Sequence, residues 1–279
     1  MTSPKVNNEL YRQFGHAWWD ENVGGFSTIR FFINPVRFGF FSRILEQTRH
    51  ADKAAQSVLD VGCGGGFLAE EFARLGYKVT GVDPAPESVA TARAHAEASG
   101  LSIEYKVGSG ENLPFAKASF DIVACCDVLE HVDDVERVVS EIARVIKPGG
   151  LFFYDTPNRT MISKVAVIKV MQEWRSTAFA PPNTHVWDRF ITPRELTDLL
   201  ERYRFNNYEM RGVSIRSNPI SAWINFRRRV QGKITFKELG QRLGLHESDD
   251  LRVSYMGAAS KRGMVARDGM TERVEVKGR

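Results

Sequence analysis

Between residues 57 and 156 the apolar positions alternate between short unbroken bursts and helical stripes. Val58-Leu59-Asp60-Val61 is a burst holding one carboxylate, the pattern of a strand buried on both faces of a parallel sheet. Residues 67–75 gather Phe67, Leu68, Phe72 and Leu75 on one side of a helix. The alternation continues as strand 77–83 and helix 86–99, with a proline near its start and Gly100 just past its end. Strands 101–107 and 120–126, helix 135–146 and strand 151–156 follow. Thr192-Pro193-Arg194-Glu195 combines a cap residue, a proline at the first helical position and a glutamate three residues on, which predicts a helix to about residue 203. Strands 207–213 and 250–260 complete the set. The prediction is an α/β fold: a doubly wound, Rossmann-like, mostly parallel sheet of seven strands within residues 46–260.

Three segments break this rhythm, and a polar tail follows. Residues 1–45 carry Phe14, Trp18, Trp19, Phe26, Phe40 and Phe41 among other aromatics, which predicts a helical cap across the core. Residues 157–190 predict a lid. Within it, 161–174 reads as a weakly amphipathic helix with Lys164, Lys169 and Trp174, suited to closing a pocket and to lying in a membrane interface. Residues 218–249, with Arg227-Arg228-Arg229, Lys233 and Lys237, read as a basic, solvated helical excursion. Residues 261–279 read as a flexible tail.

The chemistry begins where the first strand ends. Gly62-Cys63-Gly64-Gly65-Gly66 lets the backbone turn sharply and approach a ligand. A dinucleotide fingerprint would end in glycine or alanine where this chain has Phe67, and no Gly-Lys-Ser/Thr marks a phosphate-cradling loop. Asp60 lies two residues before the first glycine, where a carboxylate repels a pyrophosphate and suits a cation. Asp83 ends the second strand, where a carboxylate can accept both ribose hydroxyls of an adenosine. Ser109 and Gly110 open a polar loop where the adenine would then stack. Two acidic strand tips, a glycine loop and no phosphate motif favour S-adenosylmethionine, whose sulfonium is positive. Asp127, Glu130 and His131 leave the carboxyl end of the fourth strand, the end at which such sheets bind ligands.

Composition narrows the setting. The chain has 279 residues, 43% of them hydrophobic and 26% charged, enough for one sizeable core. A net charge of +4 is compatible with visiting an anionic membrane surface and too small to argue for nucleic acid. No apolar run reaches about 18 residues, and no signal peptide is visible. Cys63, Cys125 and Cys126 form no C-x-x-C, so neither a zinc site nor a disulfide framework is indicated. A reducing cytosol is the simplest home, with peripheral contact at the inner face of a membrane.

VLDVGCGGG at 58–66, VTGVD at 79–83, DVLEH at 127–131 and VIKPGG at 145–150 resemble class I S-adenosylmethionine-dependent methyltransferases. Trp18-Trp19-Asp20, Ile33-Asn34-Pro35-Val36-Arg37, Thr184-His185, Phe190-Ile191-x-Pro193-x-Glu195-Leu196, Asn218-Pro219-Ile220 and Tyr255-Met256 narrow the resemblance. Together these look like the ubiquinone-biosynthesis O-methyltransferases over about residues 10–260. That resemblance implies donor contacts at Arg37, Gly62, Asp83 and Cys126, the last through its backbone because the family usually has another small or apolar residue there. It also implies a divalent cation, Mg²⁺ or another, at Asp127, Glu130 and His131, although the family more often has glutamate where this chain has Asp127. The acceptor it implies is a lipophilic phenol or catechol of a polyprenylated quinone precursor.

Two routes to a reactive phenolate stay open: His131 as general base, with His185 as a second candidate on the lid, or a metal ion lowering the phenol pKa. Two rival readings also stay open. One is a methyltransferase of the same fold acting on a phenolic natural product or an isoprenoid carbon. The other is a non-enzymatic S-adenosylmethionine-binding scaffold.

Overall fold

A computed structural model describes residues 6–21, 24–48 and 53–263. The apolar bursts become strands β1 (Ser57–Val61), β2 (Lys78–Asp83), β3 (Ile103–Val107), β4 (Phe120–Cys126) and β5 (Ile146–Pro157). Three more follow: β6 (Phe205–Ile215), β7 (Leu245–Ser248) and β8 (Ser254–Lys261). They form one sheet in the order β3-β2-β1-β4-β5-β8-β6-β7. The first five strands run parallel, and β8, β6 and β7 join by antiparallel pairing. Strand order reverses at β1 and β4, where Asp60 lies level with Ala124 and Val61 with Cys125. A crevice at such a switch point is where this architecture takes ligands.

Side chains alternate across the strands and feed two cores. Val58 joins Phe41, Ile44, Phe72 and Phe153 on one face. Leu59 and Val61 join Ile142, Phe152 and Leu196 on the other. Helix Phe67–Arg74 buries Phe67, Leu68 and Phe72 as its stripe predicts. Helix Pro193–Arg202 starts in the expected capping box, with the Thr192 hydroxyl accepting the Glu195 N–H at 3.2 Å and a Glu195 carboxylate oxygen accepting the Thr192 N–H at 2.8 Å.

The cap is helical where described, and its longest helix, Asn34–Gln47, lays Phe40, Phe41, Ile44 and Leu45 on the sheet. Trp18 and Trp19 close onto the glycine loop. The Trp19 indole N–H donates to the Gly65 carbonyl at 2.9 Å, and the Trp18 indole N–H to Ser88 Oγ at 2.8 Å. Gly62 and Gly64 take φ values of +71° and +49°; a Cβ on the first would strike Val128, and on the second the Trp18 ring. The glycines thus serve close packing of the cap as well as the sharp turn.

The structure departs from expectation in three places. The sheet has eight strands, because residues 245–248 form β7 inside the segment expected to be solvated. These four residues are half-buried throughout and show no apolar burst; Arg43 helps hold them by bridging Glu247 at 2.8 Å and Glu209 of β6 at 2.9 Å. The rest of that segment is packed, since helix Phe236–Leu243 buries Phe236, Leu239 and Leu243 with Ile234 against Phe32 of the cap. The last strand begins at Ser254 because the Asp250 carboxylate accepts the Arg252 N–H at 3.0 Å and turns the chain first. The lid segment is a single capped turn, Met161–Ser163, followed by a π-helix, Lys164–Glu173. Most of the expected tail lies outside the described residues.

Candidate active site

The carboxyl ends of β1, β2 and β4 converge beneath the cap on a cavity of about 450 Å³, the size of a small-molecule site. Arg37, Asp60, Gly62, Asp83, Ser109, Gly110 and Cys126 all line it. Gly64 does not, but its N–H donates to Asp83 Oδ2 at 2.9 Å, while the Ala85 N–H donates to Oδ1 at 2.8 Å. Two backbone donors therefore fix the Asp83 carboxylate and leave lone pairs for further hydroxyl groups. Burial nevertheless raises its pKa. Asp60 is 3% exposed, and its Oδ2 has no hydrogen-bond partner among the described residues. Burial pushes its pKa up to about 7 against the pull of Arg37. An unpartnered buried carboxyl facing a cavity suits a cationic ligand.

Arg37 is buried on the other side of the same cavity. Its Nε donates to Asn34 Oδ1 at 3.0 Å, and its Nη1 donates to Asp127 Oδ2 at 2.6 Å and Asp155 Oδ2 at 2.9 Å. Asp127 sits in the left-handed region at φ +53°, and its N–H donates to Asp155 Oδ1 at 2.8 Å. That turn aims the Asp127 carboxylate at Arg37. Burial and the Asp127 charge push the Asp155 pKa up to about 6, with Arg37 pulling the other way.

Glu130, His131 and His185 form a separate cluster in which each can offer one ligating atom, all within 4.8 Å of one another. Glu130 is 1% exposed; its Oε2 accepts the Thr156 hydroxyl at 2.9 Å, and its Oε1 has no partner among the described residues. Burial and the Asp127 charge hold its carboxyl well above the usual range. His131 Nε2 lies 3.3 Å from the Tyr11 hydroxyl. The lid's Gln172 clamps the His185 backbone, accepting its N–H at 2.9 Å and donating to its carbonyl at 3.2 Å. Nδ1 of both histidines is buried and unpartnered among the described residues. Burial and the facing His185 push the His131 pKa down to about 3, and burial pushes that of His185 down to about 4.

Two expectations change. Asp127 was expected beside Glu130 and His131; its carboxylate belongs instead to the Arg37 ion pair, and His185 completes the cluster. His131 was expected to titrate near working pH; its burial keeps the imidazole neutral well below that. Neutral imidazoles beside a carboxylate with an orphaned oxygen fit a divalent cation, which would return the glutamate to its ionised form. Asp155, Thr156 and Tyr11 escaped the sequence reading. Asp155 and Thr156 lay inside an apolar burst read only as a strand, and Tyr11 carries no motif.

A larger apolar cavity, about 1040 Å³, meets the first at Tyr11, Ile29, Asp127 and His131.

Known proteins share this sequence pattern and this fold. Residues 59–154 match the family model described as a methyltransferase domain. The ubiquinone biosynthesis O-methyltransferase of Methylocella silvestris is 37% identical over 263 residues, covering 90% of this chain and 92% of that protein. That of Methylobacterium nodulans is 37% identical over 221 residues, covering 76% and 87%. The YcgJ protein of Bacillus subtilis superposes with a TM-score of 0.55 at 21% identity, over 80% of this chain and 99% of that one, a likeness of fold. The sheet, the domain match and the curated relatives define a class I S-adenosylmethionine-dependent methyltransferase. More narrowly, the chain belongs to the family of the ubiquinone biosynthesis O-methyltransferases.

Removing Asp155 leaves the buried Arg37 guanidinium with Asp127 as its remaining carboxylate partner beside the Asn34 amide. Asp155→Ala is expected to lower unfolding free energy by about 3 kcal/mol, read as a shifted urea midpoint at constant slope. A loss below about 0.5 kcal/mol, the range of ordinary surface changes, contradicts the pairing.

Proposed function

We propose that the chain transfers the methyl group of S-adenosylmethionine to a phenolic hydroxyl of a polyprenylated quinone precursor. The observation that supports this reading is His131 facing both the charged cavity and the apolar one, with Glu130 and His185 beside it. The phenolate oxygen attacks the methyl carbon in line. The carbon–sulfur bond breaks, its electron pair stays on sulfur, and a neutral thioether leaves. The sulfonium is already activated, so the protein's work is alignment and removal of the phenol proton.

Asp83 would accept the ribose hydroxyls and Asp60 face the cationic end of the donor, with Ser109 and Gly110 along the base and Gly62 and Cys126 offering backbone. Arg37, whose Nε and Nη1 are committed to Asn34, Asp127 and Asp155, keeps further N–H groups for the donor's carboxylate. Glu130, His131 and His185 would hold a divalent cation, which would supply positive charge to lower the pKa of the phenol. Tyr11 borders both cavities and orients the His131 ring through its hydroxyl. His185→Ala is expected to lower turnover on the order of 10²-fold with donor affinity within twofold of wild type, and chelator treatment of the wild type to do the same. Turnover within twofold of wild type in a labelled-donor assay contradicts a chemical role for the cluster.

The exposed side chains around the apolar cavity support a contact with lipid. Among the described residues no helix is long and apolar enough to cross a membrane. Met161, Ile162, Val165 and Trp174 of the lid, and Ile220, Trp223 and Ile224 of helix Pro219–Val230, are nevertheless exposed, with Arg227, Arg228 and Arg229 on the latter. Apolar side chains beside a run of arginines support peripheral contact with an anionic bilayer, from which a lipophilic acceptor would be drawn. The wild type is expected to float with anionic vesicles and the Ile220→Ser/Trp223→Ser/Ile224→Ser variant to sediment. A wild type that stays with the soluble fraction contradicts the contact.

A further inference from the structure

The 1040 Å³ cavity lies between the cap, the π-helical lid and helix Pro219–Val230, and the reaction described above uses only its inner end. We propose that it is the binding site for the acceptor's isoprenoid tail, with the aromatic head at the Tyr11–His131 junction. This rests on reading the chain as an O-methyltransferase of a prenylated phenol.

Five observations carry it. The cavity is continuous with the donor cavity, sharing Tyr11, Ile29, Asp127 and His131, so a ligand seated in it has one end at the reaction site. Its far walls are apolar, from Phe32 of the cap, Val170 of the lid, and Ala222 and Phe226 of helix Pro219–Val230. Water in such a space is held poorly, and a hydrocarbon chain entering it removes apolar surface from solvent. Neither lysine nor arginine is among the lining residues, while Asp127, Asp155 and Asp250 are. Along its walls a fatty-acid carboxylate or a prenyl diphosphate would therefore meet no basic side chain among the described residues, and several carboxyl groups. An uncharged tail on an aromatic ring meets neither problem. Met161 and Met171 add pliable surface that can follow the methyl branches of an isoprenoid chain. The cavity is also large beside a typical drug-sized site, roughly 300–1,000 Å³, so it suits a tail of several units better than a bare catechol ring.

The assignment makes the lid and helix Pro219–Val230 determinants of tail preference. Ala166, half-buried and facing the cavity from the lid, is the point at which a bulky side chain blocks the path. The test compares a tail-less catechol with the same catechol bearing a prenyl tail, on wild type, Ala166→Trp and Val170→Trp, each checked for a native melting transition. A third probe is the prenylated catechol with both hydroxyls already methylated, which can bind and cannot react; its binding is followed by calorimetry. The wild type is expected to favour the prenylated acceptor at least tenfold in kcat/KM. The plugging variants are expected to lose that ratio at least tenfold and to bind the dimethylated probe at least tenfold more weakly. A ratio and a probe affinity that survive both plugs overturn the assignment. Probe binding that the plugs abolish, in a protein that methylates neither catechol, supports the tail site and counts against the reaction on which the head-group placement rests.

Discussion

An excess of buried negative charge at one edge of the sheet organises this molecule. Asp60, Asp83, Glu130 and Asp155 are each less than a tenth exposed, and Arg37 is the buried cation among the described residues that answers them. Arg37 is committed to Asp127 and Asp155, so Asp60 and Glu130 each keep an oxygen without a partner among the described residues. A fold does not hold such groups without cost. A cationic methyl donor beside Asp60 and a divalent cation beside Glu130 would supply the missing charge. The cost of burying those carboxyl groups would then become affinity for the groups the chemistry needs.

The rest of the chain surrounds that edge. The cap brings Arg37 and Tyr11 to the strand tips and seats Trp18 on the glycine loop, so donor cavity and cap are complete only together. The lid brings His185 to His131 through the Gln172 clamp, and the same lid walls the apolar cavity. On the proposed function, donor binding, proton removal and tail recognition would fall on three layers that meet at one histidine.

Much of this was legible in the residues. The apolar bursts of β1, β2, β4 and β5 and the stripe of helix Phe67–Arg74 depend on periodicity alone, and each appears where its pattern predicts. The residues that line the smaller cavity were legible because carboxylates at strand tips beside a glycine turn have few uses. What stayed hidden depends on long-range pairing. β7 is a polar, half-buried strand held by an antiparallel partner some thirty residues earlier in the chain and by Arg43, and nothing local marks it. Asp127 carries the right chemistry for a metal, but a left-handed turn and Arg37, ninety positions away, claim its carboxylate. His185 joins His131 only because the lid folds back. The neutral state of both imidazoles follows from burial, which no sequence window contains.

The central claim concerns charge compensation at Asp60, whose carboxyl pKa is pushed up to about 7 by burial. A cation bound beside it favours the ionised form, so its pKa must fall on binding and a proton must leave. Calorimetry of S-adenosylmethionine binding near pH 7, in buffers of different ionisation enthalpy, measures that proton directly. The account predicts net proton release, an affinity that rises with pH between 6 and 8, and loss of both effects in Asp60→Asn. Binding with no proton exchange and a flat pH profile in the wild type would contradict it.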